Sequence, residues 1–199
     1  MRHILFVLLL LFGVSSGVGA GEFQDANDAY DRQDYATAVE QYTRAAEAGH
    51  TEAQYHLAMM YQKEKEGEGV AYDDALAVRW FRKAAVAGHT ESQSRLGLMY
   101  ATGRGVPPDD EEAVLWYRKA AEAGHGLTQY YLALKYQHGK GVPQDHVQAY
   151  RWFSLASTHA VSEKAKTRAL KRRDAIAQTM ETHEIAEAEQ LAKKWRPTP

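Results

Sequence analysis

Cysteine is absent from the sequence. That excludes disulfides, thiol nucleophiles and cysteine-ligated zinc, and it removes thiol redox chemistry even for a chain in an oxidising compartment. Excess charge of one sign is lacking too: 24 Lys and Arg stand against 26 Asp and Glu, a formal −2, which offers no electrostatic footprint for nucleic acid. Beyond the first twenty residues no run is apolar enough to cross a bilayer. The glycine pairs beginning at Gly103 and Gly139 are only G-x-G, without the later glycine, preceding strand or P-loop lysine that a phosphate cradle needs. Length permits a single domain that buries roughly 70% of its unfolded surface without a covalent staple.

The first apolar run, Ile4 to Val14, follows Arg2 and His3 and precedes the small residues Val18-Gly19-Ala20. This is the form of a secretory signal peptide. As a helix the run reaches about 16 Å, short of a hydrocarbon core of roughly 30 Å. Residues 1–20 are therefore expected to be cleaved after Ala20, leaving a periplasmic or secreted chain with no stable membrane span. Loss of Arg2 moves its formal charge from −2 to −3.

WFRKAAVAGH at Trp80–His89 returns as WYRKAAEAGH at Trp116–His125. A shift of 36 also superimposes Trp80, Trp116 and Trp152, then Gly69, Gly105 and Gly141, then Asp73, Asp109 and Asp145. A fixed period of this size marks a solenoid, whose units bury their apolar faces only by stacking. The tryptophans accordingly read as wedges between units rather than as a binding site.

Each unit contains two helical patterns. Ala53, Leu57, Met60 and Tyr61 have the spacing of an amphipathic helix, here helix A, repeated at Ser92, Leu96, Met99, Tyr100 and at Thr128, Leu132, Lys135, Tyr136. Helix B carries Ala77, Trp80, Phe81, Ala84 and Ala85 and their copies. Asp109 with Glu112 and Asp145 with Gln148 have capping-box spacing, and Thr51 with Gln54 and Thr90 with Gln93 read as the matching start signal of helix A.

AQYHLAMMY, SQSRLGLMY, TQYYLALKY and GRGVPPDDEEAVLWYRKAAEAG resemble the units of the Sel-one-like repeat family, relatives of the tetratricopeptide repeats. The resemblance runs from about Asp34 to Ala160. It implies an all-α fold, a right-handed α-α superhelix of helix-turn-helix repeats with a C-terminal capping helix. Residues 21–50 are expected as an N-terminal half-repeat or cap, 51–160 as repeats and 161–199 as capping helices. Two departures stand out: an insertion with Lys63-Glu64-Lys65-Glu66, which reads as a tolerated surface loop, and Ala160 in place of the bend glycine, as a terminal cap requires.

Candidate chemical constellations dissolve on inspection. His183-Glu184-Ile185-Ala186-Glu187 lacks the second histidine of a zinc-protease helix. His50, His89 and His125 fall one per unit, too far apart for one metal when stacked helices lie 8–10 Å apart, and read as polar residues flanking the helix A cap. Asp109-Asp110-Glu111-Glu112 suits a helix start better than a calcium loop. No cofactor, metal or catalytic residue is expected.

Function then falls to the wall itself. In tetratricopeptide-like solenoids helix A lines the concave side, and carrying that over places Tyr55, Met59, Ser94, Leu98, Tyr130 and Leu134 in a groove for a protein or peptide partner. The alternative is an anionic ligand, a polysaccharide or lipid head group, held by Lys164, Arg168 and Lys171, which share one helical stripe with Arg172 close by. An enzyme would need an acid pair that nothing in the sequence positions.

Overall fold

The computed structural model describes residues 18–62 and 71–198. Of the expected signal peptide, residues 1–17 lie outside them, as does the inserted Lys63–Glu66, whereas the expected cleavage-site residues Val18-Gly19-Ala20 form the start of the first helix, with Gly19 buried. Among the described residues the chain forms α-helices and no strand: α1 (Val18–Asp31), α2 (Tyr35–Glu47), α3 (Thr51–Gln62), α4 (Asp74–Val86), α5 (Thr90–Thr102), α6 (Asp110–Glu122), α7 (Gly126–His138), α8 (His146–Thr158), α9 (Glu163–Ala177) and α10 (Thr182–Lys194). Each helix from α1 to α8 packs on the next, the contact order of a solenoid, and α10 turns back onto α8. Residues 21–50, expected as a half-unit, carry most of α1 and all of α2, which pack as the later pairs do.

Helix boundaries follow from side chains that satisfy orphan N–H groups. Every B helix starts at an aspartate: Asp34, Asp73, Asp109 and Asp145 accept from Thr37, Leu76, Glu112 and Gln148 backbone N–H. The backbone N–H groups of Asp73, Asp109 and Asp145 in turn donate to the carbonyls of Tyr61, Tyr100 and Tyr136, all at 3.0 Å, closing the A-to-B loop the same way each time.

The A helices start differently from the sequence expectation. Histidine is the cap, not the threonine after it: His50, His89 and His125 Nδ1 accept from Ala53, Ser92 and Thr128 N–H at 3.2, 3.2 and 3.3 Å. The glutamines expected to complete a capping box turn inward instead. Gln54, Gln93 and Gln129 donate to the carbonyls of Ala46, Ala85 and Ala121 in the last turn of the preceding B helix, at 3.0, 3.1 and 3.0 Å. The imidazole reaches the third helical N–H, which frees the glutamine to pin the bend.

The core lies between these layers. Leu57, Leu96 and Leu132 are fully buried, as are Phe81 and Phe153, while the alanines at 77, 113 and 149 let neighbouring helices approach closely. Burying one such large side chain stabilises the fold by roughly 1.5–3 kcal/mol. Trp116 and Trp152 are 5% and 3% exposed, the wedges the period implies. Trp80 is only half-buried and touches both of the two core clusters, one built on α1–α3 and one running from α3 to α10.

Successive units are locked by a repeated contact. A Cβ on Gly105 would strike the Asp74 carbonyl, and one on Gly141 the Asp110 carbonyl, so only glycine lets each loop rest on the preceding B-helix start. Both also hold positive φ, +68° and +71°. Arg104 adds a two-pronged contact to Asp74 at 3.1 Å per bond, and Lys135 pairs with Asp110 one unit later. Of the acids at 109–112, Asp109 caps the helix, Asp110 fastens the next unit and Glu112 accepts from the Trp116 indole at 3.1 Å.

The array ends in α9, α10 and a short tail. Ser162 caps α9, and Glu181 with Glu184 forms the capping box of α10, which takes up the His183–Glu187 segment. The tail returns to the ends of α8 and α6: Trp195 lies 5.0 Å from the His159 ring, and Thr198 N–H donates to the Glu122 carbonyl at 2.8 Å.

Candidate functional site

Counting from the caps aligns the A helices and α9 in one frame. Seven residues after His50, His89, His125 and Ser162 come Leu57, Leu96, Leu132 and Ala169, all buried, which confirms the register. Five residues after each cap come Tyr55, Ser94, Tyr130 and Thr167; nine after, Met59, Leu98, Leu134 and Lys171. The sequence-derived groove residues thus form two adjacent rows crossing the units. Positions five and nine lie one turn apart on a helix and share a face.

Tyr55, Met59, Leu98, Tyr130 and Leu134 are half-buried. Tyr55 rests against Phe81 and His89, with ring centroids at 6.0 and 4.7 Å, and Tyr130 meets Phe153 edge-on at 5.5 Å. Burial raises the Tyr55 phenol, and the Glu91 carboxylate adds to the effect. Ser94 differs from its row: it is 6% exposed, and its hydroxyl accepts from Thr128 at 2.7 Å, tying α5 to α7. A small residue there brings these two helices together.

At the N-terminal end of the rows Tyr55 and Met59 open into a cleft of about 540 Å³ with Tyr30, Asp31, Tyr42 and His56 on its walls. Tyr42 donates to Asn27 at 2.6 Å, and burial pushes its phenol up to about 12. At the other end Tyr130 and Leu127 border a smaller pocket of about 100 Å³ against α9, with Arg168 at its wall.

A third row lies two residues after each cap: Glu52, Glu91, Leu127 and Lys164. His89 Nε2 sits 2.9 Å from Glu52 and His125 Nε2 3.0 Å from Glu91. A ring with its proton on Nε2 fits both contacts, accepting the helix N–H at Nδ1 and donating to the previous unit's glutamate. The hydrogen bond from His125, reinforced by Arg95, holds the Glu91 carboxyl well below its ordinary range, at about 2. The histidines are thus caps and links between units. Among the described residues no three His, Asp or Glu side chains gather as a metal-binding group.

Sequence reasoning kept the basic stripe and the groove apart, and the cap-based register joins them. Lys164 and Lys171 occupy the positions that hold Leu127 and Leu134 one unit earlier. The glycine-based shift of 36 hides this, because Ser162 falls 37 residues after His125. On α9, Lys166 and Arg173 pair with Glu163 and Asp174, whereas Lys164, Arg168, Lys171 and Arg172 are exposed and without an ion-pair partner among the described residues.

Helix pairs joined by identical caps, identical loop contacts and one continuous A-helix face define an α-solenoid repeat protein. The Sel1 repeat model matches residues 19–50, 51–89, 90–125 and 127–160, and the chain belongs to that family. No curated protein matches the sequence. Among solved structures it is similar to a Sel1 repeat protein from Oxalobacter formigenes, at 38% identity and TM-score 0.57, over 66% of this chain and 96% of that one. It is also similar to c5321, a protective antigen of uropathogenic Escherichia coli with an SLR fold, at 28% identity and TM-score 0.58 over 90% of this chain. The match spans 46% of that protein's length. No helix among the described residues is long and apolar enough to cross a membrane.

Proposed function

We propose that the chain is a non-catalytic scaffold or regulator of the bacterial envelope that holds a peptide or protein partner along its A-helix face. The observation that carries this reading is the pair of rows five and nine residues after each cap, where two tyrosines, a methionine and two leucines pack against the core yet stay only half-buried. Aromatic and methionine side chains on such a face are the residues from which binding hot spots are built. The Sel1 repeat match supports a protein partner.

Export fits the same picture. Ala26, Asn27 and Ala29, which pack α1 against α2, all follow Ala20, so cleavage there removes Val18, the buried Gly19 and Ala20 from the start of α1 and keeps these contacts. N-terminal sequencing of the protein from a periplasmic fraction is expected to begin at Gly21. Residues 161–199 cap the array.

The test of the groove is affinity capture from an envelope extract with the wild type and with Tyr55→Ala/Tyr130→Ala, both checked for folding by circular dichroism. The partner is expected to be lost from the double variant. A partner retained unchanged removes the groove from the account.

A further inference from the structure

We propose that the pocket between α7 and α9 recognises an extended peptide segment in which an aliphatic side chain stands beside a carboxylate. The proposal rests on the reading of the A-helix face as a peptide surface and names the chemistry at one end of it.

The pocket is apolar in its walls and cationic at its rim. Leu127, Tyr130, Ala156, Val161 and Ala165 line it, and Arg168 is its one ionic group. Its volume, about 100 Å³, is below the roughly 150 Å³ of an apolar cavity that admits benzene, so it suits a branched aliphatic group better than a ring. Gly126 makes it possible: a Cβ there would strike the His159 carbonyl, and its absence lets the α8–α9 turn bring Ala160 and Val161 up to Leu127.

Comparison along the repeat shows a local reversal of chemistry. In the two preceding units the third row carries Glu52 and Glu91, each engaged by the next unit's histidine. Ser162 caps α9 where a histidine caps the A helices, so no imidazole at that cap awaits a carboxylate, and the row continues as Leu127 and then Lys164. Leu127 is left 50% exposed and Val161 97% exposed. A leucine and a valine in water beside cations is a poor surface unless something apolar covers them.

Charge identifies that something. Lys164, Arg168 and Lys171 have no ion-pair partner among the described residues: Lys164 and Lys171 stand in the rows and Arg168 lines the pocket, while Lys166 and Arg173 are paired with Glu163 and Asp174. On a chain of net charge −2 this is a local positive field at the end of the groove. A guanidinium binds a carboxylate through two parallel hydrogen bonds, which fixes direction as well as strength. A leucine, isoleucine or valine in the pocket with a carboxylate next to it satisfies both halves. That carboxylate comes from an adjacent Asp or Glu or from the peptide's own C-terminus.

Fluorescein-labelled heptapeptides titrated into the purified chain and followed by anisotropy separate these sources. One probe ends in leucine with a free carboxylate (Gly-Ser-Gly-Ser-Gly-Ser-Leu); the other is amidated with leucine between glutamates (Gly-Ser-Glu-Leu-Glu-Ser-Gly). Each is paired with a version carrying serine for leucine. At least one leucine probe is expected to bind more tightly than its serine counterpart, and Arg168→Glu and Leu127→Glu are each expected to weaken it about tenfold or more. The probe that binds identifies the carboxylate. Equal binding of leucine and serine probes, or binding unchanged in both variants, overturns the proposal, as does a preference for anionic vesicles over either peptide. An extract partner lost by Tyr55→Ala/Tyr130→Ala but kept by Arg168→Glu and Leu127→Glu also overturns it, while leaving the groove reading intact.

Discussion

The His125 imidazole bridges two units at once: Nδ1 accepts the Thr128 N–H that opens its own helix, and Nε2 lies 3.0 Å from the Glu91 carboxylate of the unit before. One side chain thereby couples a local helix start to the stacking of the array.

Acid should weaken that coupling in a defined window. Glu91 has its carboxyl held at about 2 in the folded chain against an ordinary 4.5. Its contribution is fully present above about pH 4.5 and is lost as pH falls toward 2. Because the side chain is about a third exposed, roughly 1–2 kcal/mol is expected, less than the full depression corresponds to. Urea unfolding of wild type and Glu91→Gln should show the largest difference at neutral pH and none near pH 2. A pH-independent difference sinks the assignment.

Cap chemistry gives a second expectation. His89→Ala removes the acceptor for Ser92 N–H and the contact to Glu52, and is expected to cost about 1–2 kcal/mol. His89→Asn keeps a capping oxygen and should cost less than half as much. Thermal melts of the two variants decide this; equal losses show that the imidazole acts only through Glu52.

Two glycines with the same backbone sign should behave differently. Gly49 holds φ +92° with nothing within 4 Å of a built Cβ, so Gly49→Ala carries only left-handed strain, about 1–2 kcal/mol. Gly141→Ala adds a clash with the Asp110 carbonyl and should cost about 1–3 kcal/mol more. Similar denaturation midpoints for the two would remove the loop contact from the account of stacking.

Trp80 touches both core clusters and Trp116 only one. Trp116→Ala is expected to cost about 3–5 kcal/mol in a single transition. Trp80→Ala should cost less overall yet split unfolding, with α1–α3 amides exchanging before those of α5–α8. Hydrogen exchange that stays uniform in Trp80→Ala contradicts the two-cluster arrangement.

Period and punctuation made the fold readable from sequence: Trp116 and Trp152, the leucines seven residues after each cap and the aspartates before each B helix stand where the pattern puts them, whereas Trp80 is only half-buried. The helix A caps were misread because threonine is the commoner capping residue, and only coordinates reveal that the preceding imidazole reaches the open N–H. Ser94 looked like groove lining because its partner Thr128 is 34 residues away. The continuity of groove and basic stripe was hidden by the single extra residue before Ser162.

The loop and histidine contacts all point backward along the chain: Gly105 rests on Asp74, Gly141 on Asp110, His89 reaches Glu52 and His125 reaches Glu91. A polypeptide that emerges amino end first therefore finds each docking surface already assembled when the next pair of helices arrives. Growth of the native array can follow the direction of synthesis or of transport, each brick seating on a finished one without waiting for the last.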